Sequence, residues 1–116
     1  MSYAMEYCVA LPLDDVRERV REVFLRHGYA VLFQHAEFGL AERTSTRAES
    51  AFGFLAKHLG FRIRFSIGAT VTVMQLERET DGWVGALLGG ARHEREVDRL
   101  REALSAGLDA PCLVAA

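Results

Sequence analysis

The chain has 116 residues and a mass of 12.9 kDa, is 50% hydrophobic and 26% charged, and carries a formal net charge of −2. That length points to one domain over 1–116. It holds no run of ~18 apolar residues that could cross a bilayer, and two cysteines cannot staple a fold of this size. A net charge near zero gives no overall reason to expect nucleic acid, and Met1–Glu6 lacks a basic region followed by an apolar stretch, so the reading is a cytoplasmic protein with reduced thiols.

Residues 3–11 read as a first strand, with Tyr3, Met5, Tyr7, Val9 and Leu11 on one face. Cys8 lies within it and reads as a small core residue. Asp14 and Asp15 open a helix over 13–27, placed where anionic caps and the helix dipole favour them. Leu13, Val16, Val20, Val23, Phe24 and His27 recur at helical spacing, Asp15–Arg19 and Glu22–Arg26 are i,i+4 pairs, and Gly28 is a natural stop. A second strand over 29–34 and a third over 38–43 pair across His35-Ala36-Glu37.

Thr46-x-x-Glu49 matches a capping box, after which Ala48, Ala51, Phe52, Leu55, Ala56 and Leu59 share a helical face. A helix over 47–59 follows, with an irregular strand as the alternative because Gly53 weakens it. Phe61–Ile67 alternates: Phe61, Ile63, Phe65 and Ile67 inward, Arg62, Arg64 and Ser66 outward. Gly68-Ala69 suits a two-residue turn. Strands over 70–78 and 83–88 complete a three-stranded meander, and Gly89-Gly90 leads into a last helix over 91–106. That helix buries Val97, Leu100 and Leu104 and ends at Gly107.

The fold class is therefore α+β: an antiparallel sheet of five to six strands with two or three helices on one face, in the order β-α-β-β-(α)-β-β-β-α. With the 47–59 helix, the first elements resemble the ferredoxin-like βαββαβ pattern. Without it, the chain resembles the β-α-βn-α outline of helix-grip and TATA-binding-protein-like domains, an outline shared by small bacterial domains of unassigned role. Neither resemblance implies an activity. Ala51-Phe-Gly-Phe-Leu55 resembles the core of the RNA-recognition motif, where strand aromatics stack bases. The chain departs from it at Ser50, Ala51 and Lys57.

Motifs with catalytic or metal spacing are wanting. His93-Glu94-Arg95-Glu96 begins like H-E-x-x-H, but position 97 is Val, so the second ligand is missing. Gly85-Ala-Leu-Leu-Gly89-Gly90 matches neither dinucleotide nor P-loop spacing. Neither cysteine belongs to a C-x-x-C pair, and no cofactor is expected. Charge is uneven, however. From Arg43 to Arg64 the chain carries +4, leaving −6 elsewhere. Aromatics interleave with those cations, and Arg47, Phe54, Lys57, Arg62 and Arg64 read as a contact surface for an anionic or apolar partner.

The leading expectation is thus a non-catalytic binding or assembly domain that buries an apolar ligand or a second copy of itself, a homo-oligomer or the partner of another protein. A small cofactor-free enzyme is the alternative, with His35, His58 and Trp83 as pocket candidates. A peripheral membrane accessory protein on an anionic surface is the third.

Overall fold

The chain's architecture comes from a computed structural model that describes residues 4–44, 58–79 and 82–115. In chain order it forms β1 (Ala4–Val9), α1 (Leu13–Arg26), β2 (Ala30–His35), β3 (Phe38–Thr44), β4 (His58–Ile67), β5 (Thr72–Glu79), α2 (Gly82–Leu108) and β6 (Cys112–Ala115). The six strands make one antiparallel sheet in the order β2-β3-β4-β5-β1-β6. Both helices lie on one side of it. The fold is therefore the α+β class read from the sequence, with the helices on a single face.

Period-two alternation decides which residues meet the helices. Met5, Tyr7 and Val9 of β1, Phe61, Ile63 and Phe65 of β4, and Met74 and Leu76 of β5 are buried. Against them pack Val16, Val20, Val23 and Phe24 of α1 and Val97, Leu100, Leu104 and Leu108 of α2, in one hydrophobic cluster. Rings of Phe24, Tyr29 and Phe61 meet at centroid distances of 5.1 and 6.0 Å. Ile67, expected inward, is exposed at the end of β4.

Helix α1 begins behind Pro12 without a side-chain cap, so Asp14 and Asp15 act in its first turn through the dipole rather than as caps. It ends in a Schellman motif. Gly28 takes φ 83°, its N–H donates to the Leu25 carbonyl, and the Tyr29 N–H donates to that of Phe24. The Phe24–Tyr29 edge contact is the hydrophobic closure that accompanies this motif. The i,i+4 pairs expected on α1 are not formed among the described residues. Arg17 approaches Asp14 at 4.0 Å and stacks over the Phe33 ring at 4.6 Å, while Arg19 donates to the Gly107 carbonyl at 3.1 Å, tying α1 to α2.

Four expectations are corrected. Residues 83–88 are helical, not a meander strand: α2 runs from Gly82 straight through Gly89 and Gly90. A short apolar run fits a buried strand or a helix equally, and Ala86, Leu87, Leu88 and Ala91 are good helix formers that join it to the amphipathic stretch beyond. The sixth strand is instead β6, which returns after α2 to pair with β1.

His58 and Leu59, placed at the end of a helix over 47–59, open β4, where they pair with Thr44 and Arg43; residues 47–57 lie outside the described part. The β4–β5 connection is a four-residue loop closed by the Gly68 N–H donating to the Val71 carbonyl, with Ile67 and Thr72 as the last pair, not a two-residue turn.

Gly107 does not end α2. The helix continues to Leu108, and Asp109 takes the left-handed conformation at φ 51°. Gly107 is needed elsewhere, because a Cβ there would stand 2.7 Å from Val23 Cγ2, at the close approach of the two helices.

Candidate functional site

Two places on this frame carry chemistry. The first is the sheet face opposite the helices. Register places its outward residues in rows across the strands. One row runs Leu32, Leu40, Arg62, Glu77; the next runs Phe38, Arg64, Gln75, Glu6, Leu113; Ser66, Val73 and Cys8 follow. None of the described elements packs on these residues. Leu32 is 62% exposed and Leu113 47%, one at each margin of the sheet, while Phe38, Leu40 and Val73 are part-covered.

Between the margins the face is polar and mixed in sign. A shallow hollow of about 170 Å³ has Arg62 and Arg64 on one side, Glu6 and Glu77 on the other, and Gln75 between. The Gln75 amide donates to Glu6 Oε1 at 3.3 Å, and the Arg64 guanidinium lies 6.0 Å from the Phe38 ring. Neither Arg64 nor Glu77 has an ion-pair partner among the described residues.

The second place is a polar cluster at the helix side of the same sheet. Arg43 Nη1 donates to Glu96 Oε2 at 2.6 Å, Arg99 stands 3.7 Å from the other Glu96 oxygen, and the Tyr29 hydroxyl is buried beside them. That hydroxyl meets no hydrogen-bond partner among the described residues. Burial, with Glu96 adding and Arg43 and Arg78 opposing, pushes its pKa from 10.0 up to about 12, so it is a neutral phenol at any ordinary pH. The Arg43–Glu96 pair fastens β3 to α2.

Arg62 and Arg64 thus stand together on the open face, whereas Arg43, from the same positive window, turns to the helix side. The described cations of 43–64 do not form one surface. Arg47, Phe54 and Lys57 lie outside the described residues. His35 is exposed at the β2–β3 turn, stacked on Phe38 at 5.8 Å, its Nδ1 accepting the Glu37 N–H at 3.3 Å. His58 is the first residue of β4 and Trp83 the second of α2. Along β3, Thr44, the partner of His58, is six residues from Phe38, the partner of His35, so the two histidines occupy opposite ends of that ladder, ~20 Å apart.

Cys8, read as a core residue, is exposed on the open face, because alternation along β1 buries its neighbours Tyr7 and Val9 instead. Among the described residues no three His, Cys, Asp or Glu side chains gather as a metal site, and no helix is long and apolar enough to cross a membrane.

Sequence reading missed the acids of the face. Glu6 and Glu77 lie 71 positions apart in the chain and meet only through the β1–β5 pairing. No family model matches the chain, and no curated protein matches it.

Proposed function

We propose that the protein is a non-catalytic binding or assembly domain, and that the uncovered face of its sheet is the surface through which it works. One observation carries this reading: among the described residues no element covers the six-stranded face, which bears Leu32 and Leu113 at its margins and Phe38, Leu40 and Val73 within. Domains bury sheets between layers, and apolar groups left on an open face are where a partner supplies the missing layer. Arg62 and Arg64, the described members of the expected 47–64 contact patch, both lie on it.

The mixed charge narrows the partner. An anionic lipid surface would meet Glu6, Glu42 and Glu77 along with the two arginines, which weakens any electrostatic attraction. For a pocket enzyme two of His35, His58 and Trp83 would face one cavity, and His35 and His58, at opposite ends of a ladder, are not such a pair.

Cys8 provides the test. Its thiol lies on the open face, while Cys112 is half-buried on the helix side. Maleimide labelling of Cys8 in intact cells is expected to be many-fold slower than in dilute purified protein, with urea-unfolded chain as the control for intrinsic reactivity. Equal rates in cells and in dilute solution would mean that the face is uncovered where the protein works, and the reading would be wrong.

A further inference from the structure

We draw no further inference here: the strongest candidate, the shallow hollow on the open face of the sheet between Arg62, Arg64, Glu6 and Glu77, belongs to the contact surface already described, and nothing in the structure shows what covers it.

Discussion

The two faces of one sheet are written by the same strands, and they differ as much as the inside and outside of a protein can. Phe61, Ile63 and Phe65 of β4 are buried under the helices while Arg62, Arg64 and Ser66, each one residue away, look the other way. Met5, Tyr7 and Val9 alternate in the same manner with Glu6 and Cys8. The covered face answers to packing density, where volume and shape decide stability. The open face answers to charge and to scattered apolar margins, which contribute little to folding and much to what the protein can meet. Stability and contact are therefore separable by substitution, even at adjacent positions.

The largest effect is expected where that separation is sharpest. Phe61→Ala removes a ring packed against Phe24 and Tyr29 and should lower the free energy of unfolding by about 3–5 kcal/mol. Arg64→Ala, three positions away on the other face, should change it by less than ~0.5 kcal/mol. Urea titrations compare them, and equal losses would erase the distinction between the faces.

Next comes the helix layer itself. Gly107→Ala places a methyl 2.7 Å from Val23 Cγ2, and Val23 is β-branched and stiff at χ1. Overpacking should cost about 1–3 kcal/mol despite the better helix propensity of alanine. Val23→Ala should relieve much of that cost, which a double-mutant cycle would reveal as coupling between the two positions.

A smaller effect appears with pH. The Tyr29 phenol titrates near 10 in the unfolded chain and near 12 in the folded one. A raised pKa means that the folded state holds its proton longer, so this contribution is complete below pH 10 and is lost as pH rises through about 12. Tyr29→Phe should flatten that alkaline decline. Because the hydroxyl is buried without a hydrogen-bond partner among the described residues, its removal should leave neutral-pH stability unchanged or slightly higher.

The smallest is Asp109→Gly. Asp109 sits at φ 51° after α2, where glycine carries no steric penalty, so the substitution should raise stability by up to about 1 kcal/mol. Thermal unfolding measures it.

Much of the covered face was legible in the sequence because periodicity encodes it. The apolar spacing of 13–27 and the alternation of 61–67 located α1 and β4 to within a few residues, and Val97, Leu100 and Leu104 are the buried stripe they were read to be. Legibility failed where local signals were balanced. The run 83–88 fits strand or helix by composition, and glycines at 89 and 90 suggested a break that the helix runs through. Strand β6 is four residues long, too short to announce itself, and exists because β1 offers it an edge.

The open face was only half legible. Arg62 and Arg64 alternate visibly with the apolar residues of β4, but their counterparts Glu6 and Glu77 come from distant parts of the chain. Likewise Arg43 and Glu96, 53 positions apart, gave no sign of pairing. A window of charge along the chain does not separate the two faces, since Arg43 and Arg62 end on opposite sides of one sheet.

Gln75 stands at the middle of the open face, exposed, between the arginines and Glu6. The most direct test is the alkylation rate of a single thiol placed there by Gln75→Cys, with Cys8 and Cys112 changed to Ser, followed as the purified chain is concentrated and again inside cells. If the face is a contact surface, the rate inside cells falls several-fold below that of the dilute purified chain. A thiol that reacts as fast as one in an unfolded peptide, at every concentration and in cells, would contradict it.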